Sequence, residues 1–394
     1  MRSWNPTRQV KKVEVWADNS VKILRYDVDN AYPQRMYQHY LRSGYTKLCV
    51  GLYARFIFGG GLSDKVLYKT VINDKKQKLD QLLRQTIRDY SIFKSFALHF
   101  NYNALGRIHS IQKVTFEYAR LGIPDDIEYI GKVALWNNWD RSFRKSANSR
   151  KIEYLDVFNP DPEVVLAQME KAGGIEKYLG QVFYYNGETD DYPYCSFDSV
   201  IDLTRADAGI DLFKRSNIDN GFLQSHSVEY PGKFESEEER AEFDQGLRNL
   251  QGPREAGSFV VWENPLAKEN PIKMNPIKTQ NNDRLYEWTE QSTQDKIRKN
   301  YLIPPDIVGE FRGGALSAQQ VSESYDYYNA VTQDDRLIFE ELLTMIFQYW
   351  RDPIATTDFS ILPLQYIVKK AVDPAAPMPG APAAAPPVTT AEPG

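Results

Sequence analysis

The chain has 394 residues, of which 42% are hydrophobic and 26% charged, and its formal net charge is −5. No stretch approaches the roughly 18 apolar residues that a membrane-spanning helix needs. Two cysteines are too few for a disulfide framework, and the acidic balance argues against a protein that clings to nucleic acid by bulk attraction to phosphate.

The N-terminal "MRSWNPTRQVKKVEVWADNS" alternates polar and apolar residues with no apolar core, so no secretory leader and a cytoplasmic site of synthesis are expected. From residue 30 to 58 the apolar positions recur at helical spacing and stop at Gly59 to Gly61, a glycine stop that predicts helices ending in a tight turn. A second helix is predicted in "KKQKLDQLLRQTIRDYSIFKSF", with Leu79, Leu82, Leu83, Ile87, Tyr90 and Phe93 on one side. The period then shortens. "FALHFNYNALGRIHSIQKVTFEYARLG", "DIEYIGKVALW", "KIEYLDVFNP" and "YLGQVFYYNG" are short, aromatic and β-branched, which predicts a meander of strands and an α+β first half.

Beyond residue 200, Thr204 and Asp207 read as a capping pattern before the helix "AGIDLFKRSNIDNGFLQ". A strand "HSVEYPG" follows, then the helix "SEEERAEFDQGLRNLQGP", which opens on a Ser236–Glu239 capping box and stops at Gly252-Pro253. Two strands, "GSFVVWEN" and "IKMNPIK", come next. The helix "DRLYEWTEQSTQDKIRKNYL" is polar nearly all round. Leu285, Trp288, Ser292, Lys296 and Lys299 share one stripe of it, apolar at the start and basic at the end. Such a helix is poorly suited to a core; it either bridges regions through solvent or packs against copies of itself. From Ser317, boxed with Gln320, a helical pattern runs to Trp350 with neither Gly nor Pro. The terminal "AVDPAAPMPGAPAAAPPVTTAEPG" is a Pro/Ala tail expected to be disordered.

In its order of elements the chain resembles the portal proteins of tailed bacteriophages: a helix, a small α/β insert, a second helix, "IPPDIVGEFRGGALSAQQ", then a long helix. The residues that carry the resemblance are Ile303, Pro304, Pro305 and Gly309, followed by the glycine-rich loop and "LSAQQVSESYDYY". "YPQRMYQHYLRSGYTKLCVGLYARFIFGGGL" and "FNYNALGRIHSIQKVTFEYARL" are similar to portal wing segments. The resemblance implies an α+β wing over 1–205, a stem helix over 206–224 and a clip over 225–282. A second stem helix over 283–302, a tunnel loop over 303–316 and a long wing or crown helix over 317–352 follow, then a small crown segment and the tail over 353–394. It further implies a dodecameric ring in the virion, assembled in the host cytoplasm, through which double-stranded DNA passes. The implied partners are the terminase large subunit, a head-completion or adaptor protein and the major capsid protein, with no membrane. Lys296, Lys299, Phe311, Arg312, Gly313 and Gly314 are expected to face the DNA. Pro304 and Pro305 fix φ and aim the loop, while Gly309 and the paired glycines let it yield.

Catalytic signatures are wanting. "FGGGLSDK" lacks the Gly-Lys-Ser/Thr ending of a phosphate-binding loop, so a motor would need a separate ATPase. His39, His99, His109 and His226 lack metal-ligand spacing, and no cofactor is expected. Asp27 with Asp29, Asp125 with Asp126, and Asp161 with Glu163 are the pairs that a metal-dependent nuclease or transferase would use; their turn-like surroundings favour capping instead. A monomeric α+β binding module is the third alternative.

Overall fold

The computed structural model describes residues 15–139, 151–187, 189, 191–219, 226–231, 233–250, 259–264, 272–276, 283–309, 318–354 and 358–366. The Pro/Ala tail from 371 onward lies outside them. The architecture is mixed α+β.

A hairpin of β1 (Val15–Asp18) and β2 (Ile23–Tyr26) leads into α1 (Tyr32–Arg42) and α2 (Gly44–Phe58). The two helices meet at Ser43, whose extended backbone turns the chain and whose hydroxyl accepts from the Thr46 amide at 3.1 Å. α2 ends on Gly59 at φ +54°, where a side chain is strained and where a Cβ would lie 2.0 Å from the Leu362 carbonyl oxygen. β3 (Gly61–Leu62) and the short α3 (Lys65–Tyr68) precede α4 (Leu79–Phe93). The period-matched stripe of α4, Leu79, Leu82, Leu83, Ile87, Tyr90 and Phe93, is buried throughout.

The strands predicted between residues 96 and 185 form one sheet of six. They are β4 (Phe96–Tyr102), β5 (Ile108–Val114), β6 (Ala119–Leu121), β7 (Lys132–Leu135), β8 (Glu153–Val157) and β9 (Gln181–Tyr185), in the order β5-β4-β9-β8-β7-β6. All neighbours are antiparallel except β8 and β9, which a crossover through α5 (Pro162–Ala172) makes parallel.

α6 (Ile201–Asp219) leads out of this body to a separate three-stranded sheet. There β10 (His226–Pro231) lies between β11 (Phe259–Asn264), parallel to it, and β12 (Lys273–Pro276), antiparallel. α7 (Glu237–Leu250) packs on it through Phe243, which meets Tyr230 and Phe234. The box at its start forms with one change of partner. Ser236 accepts from the Glu239 amide at 3.1 Å, while the Glu239 carboxylate takes the Glu235 amide at 2.8 Å. α8 (Asp283–Asn300) returns to the body, followed by α9 (Pro305–Val308), α10 (Ala318–Val331) and α11 (Gln333–Gln348).

Two sequence readings are corrected here. α6 begins at Ile201, so Thr204 and Asp207 lie inside it rather than capping it. Both are buried because they serve α2 instead: the Asp207 carboxylate accepts from the Ser43 hydroxyl at 2.7 Å and the Tyr45 amide at 3.2 Å, placing negative charge at the N-terminus of α2. The helix read as continuous from 317 to 350 is two helices, broken at Thr332 (φ −96°, ψ 8°). Three acceptors in that region are taken by the Arg336 guanidinium: the Asn329 carbonyl at 2.6 Å, the Thr332 hydroxyl at 3.0 Å and the Phe56 carbonyl of α2 at 3.1 Å.

α11 closes the core over the N-terminal body. Phe339 stacks on Phe96 with centroids 5.4 Å apart and meets Tyr90 edge-on at 5.4 Å. Beside them the Asp335 carboxylate accepts from the Tyr53 and Tyr90 hydroxyls at 2.7 and 2.6 Å and from Lys94. Residues 358–366 then return as a strap, in which β13 (Ile361–Leu362) pairs antiparallel with β3. Both cysteines, Cys49 and Cys195, are buried.

Candidate functional site

α6 and α8 run side by side and antiparallel, since Ser199 pairs with Asn300 at one end and Lys214 pairs with Glu290 further along. Together they carry the small sheet. The inner face of α8 is fixed by Thr293, Ile297 and Arg298, all buried, and by Tyr301 just beyond it. The Tyr301 hydroxyl, pushed well above its ordinary pKa by burial, bonds the Ser196 hydroxyl at 2.7 Å, and the Asn300 amide donates to the Ser196 carbonyl at 2.9 Å. This foot was invisible in sequence, because the partners lie more than 100 residues apart.

The opposite face of α8 is open. Trp288 is 65% exposed, and Lys296 and Lys299 are exposed two and three turns further along the same stripe. Leu212, on α6, is 68% exposed. Lys299 is not wholly given to solvent, since its ammonium lies 3.3 Å from Asp295. The Asp295 carboxyl is held below the usual range by a hydrogen bond from Arg298 and a second from Lys299.

The helix exit differs in detail from the sequence reading. Leu302 adopts φ +54°, and the chain reverses there through two bonds, Leu302 amide to Lys299 carbonyl at 3.1 Å and Ile303 amide to Arg298 carbonyl at 3.3 Å. This is the Schellman closure with leucine where glycine is usual, sealed by Ile303 at 2% exposure. The Arg298 guanidinium adds a bond to the Ile303 carbonyl at 2.8 Å. Pro304 and Pro305 follow the turn rather than making it. Pro304 takes an extended conformation (φ −59°, ψ 142°) and Pro305 opens α9, where its missing N–H is harmless. Gly309 ends α9 at φ +82°. The span read as a loop over 303–316 thus contains a helical turn, whose Asp306 accepts from Ser324 of α10 at 3.1 Å. Phe311, Arg312, Gly313 and Gly314 lie outside the described residues.

The acidic pairs have structural occupations. Arg35 grips Asp27 and Asp29 with its two guanidinium nitrogens. Asp125 accepts from the Ile127 and Tyr129 amides at 3.0 and 2.9 Å, and Asp161 caps α5 through the Glu163 amide at 2.9 Å. Among the described residues no group of three or more His, Cys, Asp or Glu is placed to hold a metal ion, and no helix is long and apolar enough to cross a membrane.

No protein-family model matches the chain, and no curated protein matches it. Among solved structures the chain is similar to three from gene transfer agent particles. A chain of the virion of the native particle is 14% identical over 74% of each chain, with a TM-score of 0.46. A chain of the native neck with C12 symmetry is 13% identical over 82% of each, at 0.46. A chain of the empty particle's neck with C6 symmetry is 13% identical over 79% of each, at 0.49. Likenesses of this degree assign no function to the chain.

Proposed function

We propose that this chain is the subunit of a portal-type ring, a structural component of a phage-like particle that lines the passage for double-stranded DNA. The observation that carries the reading is the antiparallel pair of α6 and α8. One face of the pair is anchored in the body, its far end leads to a small separate sheet, and the stripe Trp288–Lys296–Lys299 is exposed, with only the Asp295 contact to Lys299 found along it among the described residues. A helix pair half covered in the monomer is what a ring of neighbours completes. In this assignment residues 1–205 with α10 and α11 form the wing, α6 from residue 206 onward and α8 the stem, and 225–282 the clip that meets a packaging ATPase and later a head-completion protein. Residues 303–316 approach the bore, with Arg312 and the exposed lysines touching phosphates.

A channel for DNA of every sequence has to contact phosphates without reading bases, and weakly enough for the duplex to slide. A chain of net charge −5 that turns only a few of its 48 Lys and Arg toward the passage, each repeated around a ring, meets both requirements. Electron microscopy or native mass spectrometry of the purified protein is expected to show closed rings, the monomer being minor, with subunit interfaces burying on the order of 2,000 Å² or more. A monodisperse monomer at high micromolar concentration in every salt tested would remove the reading.

A further inference from the structure

The segment 318–348 has no Gly or Pro, yet it is broken at Thr332. The break is held by the segment's own Arg336 and Thr332 together with partners outside the helix. In a continuous helix the Asn329 carbonyl would accept from the Gln333 amide; here it accepts instead from the Arg336 guanidinium at 2.6 Å and the Thr332 hydroxyl at 3.4 Å. Arg336 is in turn tethered to the Phe56 carbonyl at the C-terminal end of α2. The other grip on this joint is the strap. The Asn329 side chain reads the Leu364 backbone as a neighbouring strand would, donating to its carbonyl at 2.8 Å and accepting from its amide at 3.1 Å. Glu340 of α11 accepts from the Ile361 amide at 2.8 Å, so the strap touches both sides of the break.

Local sequence therefore favours one helix, and tertiary contacts hold two. We propose that residues 358–366 are a releasable clamp on a two-state helix: with the strap seated, α10 and α11 stay separate, and with the strap displaced, residues 318–348 become a single continuous helix. The strap is suited to release. Its strand is only two residues long and lies on one edge, joined by the Gly60 amide to Leu362 carbonyl bond at 2.7 Å and the Ser63 amide to Ser360 carbonyl bond at 3.0 Å, while Ile361 and Phe359, the latter stacked on Phe347, seat it against the core. Because Ser324 of α10 bonds Asp306 of α9, a change at Thr332 is passed to the Pro304–Gly309 segment. The inference is a property of the single chain and goes beyond the ring reading.

Amide hydrogen exchange on the full-length protein tests it. In the wild type the Ser63 and Leu364 amides should exchange through an opening that leaves the α2 and α4 amides protected. In the full-length Asn329→Ala variant, and in a chain ending at residue 357, the Gln333, Asp334 and Asp335 amides should gain protection by about tenfold or more, because they acquire carbonyl partners. Adding a peptide of residues 358–366 to the shortened chain should reverse the gain. Mere loosening cannot raise protection, so unchanged or reduced protection at 333–335 in Asn329→Ala overturns the proposal, whether or not the shortened chain folds. Strap amides that exchange only with global unfolding overturn it as well.

Discussion

At Gly59 two penalties fall on one residue. A side chain there is strained by φ +54° and collides with the Leu362 carbonyl, which is backbone and cannot swing away. Gly59→Ala should cost about 2–4 kcal/mol, the sum of a left-handed penalty and an overpacking penalty, read from a denaturant melt. Leu302 is the reverse case. It occupies a left-handed position with its side chain 56% exposed, so Leu302→Gly should leave the fold unchanged and raise stability by up to about 1 kcal/mol. Asp89 supplies a pH signature. Burial, only partly offset by Lys113, holds its carboxyl at about 6, above the ordinary value of roughly 3.9. The folded state therefore binds the proton more tightly than the unfolded one. Stability from this group is full below about pH 4 and is lost as pH rises through about 6. Denaturant midpoints of wild type and Asp89→Asn, compared across that window, should diverge, the wild type falling more steeply.

At the scale of elements, what the sequence disclosed was what local chemistry decides. The α4 stripe, the glycine stop of α2, the Ser236–Glu239 box and the short strands follow from spacing and caps that a reader of the chain can see. What escaped was set by distant partners. The break at Thr332 depends on a carbonyl 280 residues from Arg336, and Asp207 caps a helix that begins 163 residues earlier, at Gly44. The turn at Leu302 carries no glycine to announce it. Of the candidate DNA-facing residues, Lys296 and Lys299 were readable as an exposed basic end of a stripe, whereas the Asp295 contact to Lys299 was not read. Replacing Lys296 and Lys299 together with Ala, or Arg312 with Ala, should leave rings that assemble normally and package or retain DNA poorly. Packaging and retention equal to the parent when Lys296, Lys299 and Arg312 are all replaced with Ala would show that these side chains do not line the passage.

For the whole molecule, the described residues of α10, α11 and the strap are part of the body rather than an appendage. Phe339, Leu342, Leu343 and Ile346 are buried in the same core as α2 and α4, and the strap closes over β3. Removing residues 371–394 should therefore cost less than about 1 kcal/mol, while removing everything from 358 onward should cost several times more, since it strips Ile361 from the core and leaves Gly60 and Asn329 without their partners. Thermal melts of the two shortened chains measure the difference.

The place of Asp335 and Phe339 in the core also sets a timetable for biosynthesis. Tyr90 needs Asp335, which the ribosome adds 245 residues later, a delay of roughly 12–50 s at about 5–20 residues per second. Throughout that interval the ring faces of Tyr90 and Phe96 that Phe339 finally covers stand open on the nascent chain. The body cannot mature from its N-terminus forward, and its yield in a cell depends on how well those aromatic faces are shielded until translation is nearly done.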